Sequence, residues 1–204
     1  MGGEMKKDTL IGIGIIVLLI IIGVYLTEEK ISFDRDILDV HVSVHLVQDG
    51  SVQFSTSRTE EDIYRIFNEV NKIWSQAQIE FVIEDVDTIQ VNNLEFNSAI
   101  FAQNISIIAQ RDDFDRGMIN GYFARYISAN GVAFSPQGIF IIADLTTVND
   151  YRTTAHELGH LLGLHHIDGK ENLMFRGSNG EVLSQWEIDM ARNNAREFYS
   201  VKNK

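Results

Sequence analysis

The stretch His156-Glu157-Leu158-Gly159-His160-Leu161-Leu162-Gly163-Leu164-His165-His166 decides how the rest of the chain is read. His156 and His160 are four residues apart, so on a helix their side chains lie one above the other on a single face. Two imidazoles in that relation can hold one zinc ion, and Glu157, one position round, can reach a water on that ion. Gly163 lets a helix stop and the chain turn. His166 follows three residues later and can return to the same metal as a third ligand. Its neighbour His165 is the alternative third ligand, one residue out of register. Three protein ligands leave a fourth position for water, which is the catalytic form of a zinc site and not the closed structural one. The competing reading is a buried amphipathic helix with incidental histidines. It is disfavoured because three imidazoles and a carboxylate are costly to bury on an apolar helix without a metal.

The pattern H-E-x-x-H-x-x-G-x-x-H over His156–His166 resembles that of the metzincin metalloproteases. It is most similar to the matrixin branch, through the Leu162-Gly163-Leu164 step before the third ligand region. The resemblance implies a zinc-dependent endopeptidase with Zn2+ on His156, His160 and His166 and Glu157 as general base. It also implies a methionine in a tight turn beneath the metal, a place that Met174 fits. An edge strand that binds the substrate backbone is implied too, and the segment Gly131, Val132, Ala133, Phe134 and Ser135 is the candidate. The wall of the specificity pocket would come from Phe175 to Leu183.

Several departures accompany the resemblance. The chain has no cysteine, so disulfides, thiolate ligands and a cysteine nucleophile are excluded. The propeptide cysteine that commonly keeps matrixins latent is therefore not available, and the cysteines of the archaeal metzincin branch are missing. Arg176 stands where some branches place a tyrosine, two residues beyond the methionine. No His- and Asp-rich segment for extra zinc or calcium is found. Asp112-Asp113-Phe114-Asp115 lacks the spacing of a calcium loop and reads as a solvated acidic turn.

The 204 residues suffice for one substantial domain plus an appendage. A net charge of −12 argues against nucleic acid as a partner, because phosphate contacts need clustered Lys and Arg. Leu10 to Leu26 carries no charge and, with Thr9 and Thr27 beside it, is long enough to cross most of a ~30 Å hydrocarbon core as a helix. Its exit, Gly23 to Glu29, offers no small-x-small cleavage site, so residues 10–27 are expected to be an uncleaved membrane anchor and not a signal peptide. Lys6 and Lys7 flank the segment on one side and Lys30 and Arg35 on the other; the closer approach of the first pair and the α-amino group favour an N-terminus inside, which sends the bulk of the chain outward. The expected organisation is a tail at 1–9, the anchor at 10–27, a linker at 28–37 and a zinc metalloprotease domain at 38–204. That corresponds to a single-pass protein of the cell membrane with an extracytoplasmic catalytic domain.

Along the body, Asp39 to Val47 alternates as a half-buried strand, with Val40, Val42, Val44 and Leu46 inward and His41 and His45 as a solvated pair on the other face. Thr59 with Asp62 caps a helix whose apolar stripe runs Ile63, Ile66, Phe67, Val70, Ile73, Trp74 and Ala77. Ile79 to Ile83 and Ile119 to Ile127 read as strands, and Ala99 to Ala109 as a helix. Val132 to Pro136 reads as an edge strand and Ile139 to Ala143 as a central one. Asn149 or Thr147 opens the helix of the histidines, and Ser184 with Glu187 caps a last helix with Ile188, Ala191, Ala195 and Phe198 on its buried face. The expected fold is α+β, three-layered and zincin-like: a twisted mixed sheet of about five strands, a long first helix, an active-site helix and a C-terminal helix, preceded by one transmembrane helix. The alternative to an enzyme is a catalytically silent, membrane-anchored binding protein on the same fold; a weaker one is a zinc hydrolase acting on a non-peptide amide.

Overall fold

A computed structural model describes residues 36–201 apart from 52 and 113. The anchor expected at residues 10–27 lies outside the described residues. Among the described residues no helix is long and apolar enough to cross a membrane.

From Ile37 on, the chain forms one compact unit around a five-stranded sheet. Its strands are β1 (Leu38–Gln48), β2 (Ile79–Gln90), β3 (Ile119–Ala124), β4 (Gly131–Phe134) and β5 (Ile139–Ala143), in the spatial order β2-β1-β3-β5-β4. The first four in that order are mutually parallel, and β4 runs antiparallel along the edge of β5. Parallel neighbours need crossovers. Helix α1 (Glu60–Trp74) supplies the one between β1 and β2; α2 (Asn93–Phe101) and the short α3 (Ser106–Ala109) lie between β2 and β3. Helices α4 (Asp150–Leu161) and α5 (Gln185–Val201) follow the sheet.

The two faces of the sheet carry separate cores. Val40, Val42, Val44, Ile119, Phe123 and Phe140 point to the side covered by α1, α4 and α5, where they meet Ile63, Phe67, Trp74 and Leu158. Ile89, Tyr122, Ile139 and Ile141 point the other way and meet Phe96, Ile100 and Ile108. Strands β3 and β5 are buried along their whole length; β5 is the continuous apolar run expected of a central parallel strand, while β3 buries the polar Asn120 among its apolar residues.

Helix α1 begins where its capping box dictates: Thr59 accepts from Asp62 N–H, and the Asp62 side chain accepts from Thr59 N–H. It ends at Trp74, and a 3-10 turn at Ser75–Ala77 completes the stretch. At α5, Glu187 Oε2 accepts from Ser184 N–H at 2.8 Å, and Glu187 N–H lies 3.4 Å from Ser184 Oγ, so the second box forms too. Ala191 and Ala195 are buried and Ile188 is half-buried, while the side chain of Phe198 lies outside the described residues.

Four expectations need correction. Strand β1 is not half-solvated. It runs between β2 and β3, and His45 is fully buried. Its Nδ1 donates to Asp87 at 2.6 Å, its Nε2 stands 3.3 Å from Asn120 Oδ1, and its ring stacks on Tyr122. His41 pairs with Glu84. Polar alternation marks a face that is hydrogen-bonded as well as one that is wet. Strand β2 runs on to Gln90, seven residues past the apolar part; its acidic half guards a sheet edge, where charge discourages further pairing. The Ala99–Ala109 helix is two helices, because Gln103 takes φ 53° and Asn104 N–H closes on Ala99 O at 2.9 Å. Strand β3 stops at Ala124, and Arg125 turns aside to Asp144.

Candidate metal centre

Helix α4 is anchored before its histidines begin. Asp150 in its first turn pairs with Arg58 at 2.8 Å and with Arg65 at 3.1 Å, and Trp74 Nε1 donates to Ala155 O at 3.3 Å. The helix is thereby fixed against α1 with His156 and His160 facing the same way. Gly163 ends it with φ 81°, and Leu164 N–H donates back to Gly159 O at 2.9 Å, which turns the chain so that His166 returns. A side chain at 163 would also run into Asn194 of α5.

The three histidines converge. One ring nitrogen from each of His156, His160 and His166 lies within 4.8 Å of the others. His166 Nε2 stands 3.0 Å from His156 Nε2 and 3.2 Å from His160 Nε2. Zinc–nitrogen bonds in a tetrahedral site put ligand nitrogens about 3.3 Å apart, so the spacing fits. The remaining nitrogens are held: His156 Nδ1–H donates to Leu173 O at 2.7 Å and His160 Nδ1–H to Leu164 O at 2.8 Å. Such bonds fix the tautomer and leave the Nε2 lone pairs for a metal. Burial holds all three rings neutral. It lowers His156 to about 3, against the pull of its hydrogen bond to Leu173, and it lowers His166 to about 4. His160 is lowered by the same cause. An all-nitrogen set of three neutral imidazoles is the donor chemistry of a zinc site open on one side. His165 lines the neighbouring cleft and is not part of the cluster.

Glu157 is almost wholly buried beside this cluster. Burial pushes its carboxyl up to about 8, while the Arg152 guanidinium pulls the other way. A bound dication would draw it down further. It packs on β4: a Cβ built on Gly131 would lie 2.8 Å from Glu157 Cγ and 2.9 Å from its Oε1. Gly131, Val132, Ala133 and Ser135 line a cleft of about 520 Å³ together with Glu157, His160 and Gly163 to His166. Phe134 completes β4, and Ser135 opens a short 3-10 turn from which its Oγ donates to His160 O at 2.9 Å. Strand β4 is an edge strand, so one side of its backbone is paired with β5 and the other side is turned away from the sheet.

Met174 is fully buried beneath α4. It lies in a turn closed by Phe175 N–H donating to Asn172 O at 3.2 Å, and its own N–H donates to Asn172 Oδ1 at 2.6 Å. A Cβ on Gly159 would come within 2.7 Å of Met174 Sδ, so the glycine inside the motif is what lets the sulfur sit against the helix.

Two arginines complete the surroundings. Arg152 is buried, and its Nη2 donates to Leu173 O and Phe175 O, each at 2.5 Å, and its Nε to Gly180 O at 3.2 Å. It shares the Leu173 carbonyl with His156 and so ties α4 to the methionine turn. The sequence reading missed it, although its spacing of four before His156 places it on the stripe of the histidines. Arg176, noted in the sequence only as a departure, donates from Nε to His166 Nδ1 at 2.8 Å.

No family model matches the sequence, and no curated protein matches it. Solved structures do. The chain is similar to archaemetzincin from Methanopyrus kandleri at 13% identity and a TM-score of 0.48, over 81% of this chain and 97% of that one. It is similar to a zinc-dependent peptidase from Methanocorpusculum labreanum at 14% identity and a TM-score of 0.40, over 76% of this chain and 99% of that one. Metalloproteinase-II from Bacteroides fragilis matches at 13% identity and a TM-score of 0.48, over 78% of this chain and 53% of that one. At that identity and overlap the likeness carries no chemistry.

Proposed function

We propose that this chain is a zinc-dependent endopeptidase, a minimal metzincin of matrixin-like type, held at the cell membrane by residues 10–27 with its catalytic unit on the outer side. The observation that carries the reading is the convergence of three neutral Nε2 atoms beside a buried carboxyl and along an edge strand. His156, His160 and His166 are the residues that would hold the zinc. Zinc in such a site supplies Lewis-acid stabilisation of developing negative charge and lowers the pKa of its water toward about 7. Glu157 is placed to accept a proton at its carboxylate from the attacking water and to deliver one to the leaving amine. Strand β4 is placed to pair with an extended peptide backbone across the mouth of the cleft, which holds the scissile bond over the metal side. Met174 packs against Gly159 on the buried side of the helix and forms the floor of the site.

Replacing Glu157 by Gln keeps the shape of the side chain and removes the base. The variant is expected to retain one zinc per chain and to lose cleavage of a casein-type substrate by about a thousandfold or more. Undiminished cleavage would remove Glu157 from the mechanism. A wild-type chain that binds zinc and cuts no peptide would favour the catalytically silent binding protein.

A further inference from the structure

Arg176 is an exposed cation two residues past Met174, and its only hydrogen bond among the described residues is the one from Nε to His166 Nδ1. The protein has 29 acidic residues against 17 Lys and Arg. Three of its other arginines pair with carboxylates, Arg58 with Asp144 and Asp150, Arg65 with Asp62 and Asp150, and Arg125 with Asp144, while the buried Arg152 and Arg192 donate to backbone carbonyls. Among the described residues no carboxylate pairs with Arg176. A guanidinium is a fork of five donors, and here the Nη edge is unspent.

The acceptor it does have is a ligand ring. A neutral histidine that binds a metal through Nε2 carries its proton on Nδ1, so it has no lone pair there to offer Arg176. The exposed guanidinium is then left to water or to an incoming acceptor, and an anionic one also offsets the gathering of positive charge around the site. The adjoining cleft offers little from the protein itself. Glu157 is the one acid among the residues that line it, and Glu157 is packed against Gly131 and needed for the reaction.

We infer that Arg176 is a specificity residue that binds a substrate carboxylate, so that the site prefers peptides with a carboxylate close to the scissile bond. The Nη edge suits a carboxylate because two parallel N–H donors match its two oxygens. The carboxylate is either an Asp or Glu side chain or the peptide's own C-terminus. This inference rests on the peptidase reading.

The test uses the full-length, zinc-loaded protein in detergent and matched peptides. One set carries Asp or Glu near the cleavage site against Asn or Gln; a second carries a free C-terminus against an amidated one. The wild type is expected to favour the acidic member of one set by about tenfold or more in kcat/KM. Arg176→Gln should bring that ratio to near one, Arg176→Lys should recover part of it, and Arg176→Glu should favour peptides with Lys at the same position. Calorimetric binding of the same peptides to Glu157→Gln protein should show the same preference without turnover. The set that shows the preference identifies the source of the carboxylate. Equal cleavage and equal binding within both sets, or a preference that survives Arg176→Gln, overturns the role of Arg176 and leaves the peptidase standing. No cleavage of any peptide by the wild type overturns the peptidase reading and this inference with it.

Discussion

Burial sets the chemistry at the level of single residues. The site gathers three histidines whose protons are disfavoured and one carboxyl whose proton is favoured, all by desolvation. This has a consequence for stability once the metal is stripped. The folded histidines bind protons less readily than the unfolded chain, whose value is near 6.5, so the unfolded state takes up protons as the pH drops below that and stability falls. Glu157 acts in the opposite sense. Its folded value of about 8 lies above the ordinary 4.5, so its contribution is complete at low pH and is lost as the pH rises through 8. Three histidines outweigh one carboxyl on the acid side, and Glu157 acts alone between 6.5 and 8. The thermal midpoint of the zinc-free protein should therefore peak near pH 6.5 and fall on both sides. Glu157→Gln should remove the alkaline fall and keep the acid one; a wild-type midpoint that climbs steadily through pH 8 would contradict the burial of Glu157. The histidines and Glu157 were legible in the sequence because a metal demands fixed spacing. Arg152 and Arg176 were not, because their partners are backbone carbonyls and a ring nitrogen that only the fold brings near.

Strand β4 and helix α4 act as a pair at the level of elements. Gly131 is close enough to Glu157 for any added Cβ to displace the carboxylate, while the atoms it would strike are the movable end of a side chain. Gly131→Ala should accordingly fold and bind zinc as before but lose about 10- to 100-fold in kcat, since a misplacement of about 1 Å is enough to cost that much. Unchanged kcat would show that Glu157 does not depend on β4 for its position. Elements with one dominant signal could be read in advance: the capping boxes at Thr59 and Ser184 and the apolar run of β5 mark what they became, whereas Pro136, read as part of the edge strand, falls in the 3-10 turn after β4 has ended at Phe134. The acidic half of β2 could not, because Glu84, Asp85 and Asp87 look like a loop until β1 is known to lie alongside. His45 could not either, since its burial depends on Asp87 and Asn120, 42 and 75 residues away in sequence.

For the whole molecule, the zinc site and the proposed anchor sit on separate parts of the chain, and each can be tested without the other. The full chain should stay with membranes after an alkaline carbonate wash, while a chain beginning at Ile31 should be released; release of both would remove the anchor. The order of strands and helices followed from periodicity and turn chemistry, whereas the two-sided core became visible only with the sheet, since β1 serves both faces. The claim on which the rest depends is that the three histidines hold a zinc that the protein uses to cut peptide bonds. Cleavage of a peptide library by the full-length protein, before and after treatment with a zinc chelator and after return of one equivalent of zinc, measures this most directly. The chelator should abolish cleavage and stoichiometric zinc should restore it; cleavage that persists in metal-free protein would show that the three histidines do not carry the chemistry.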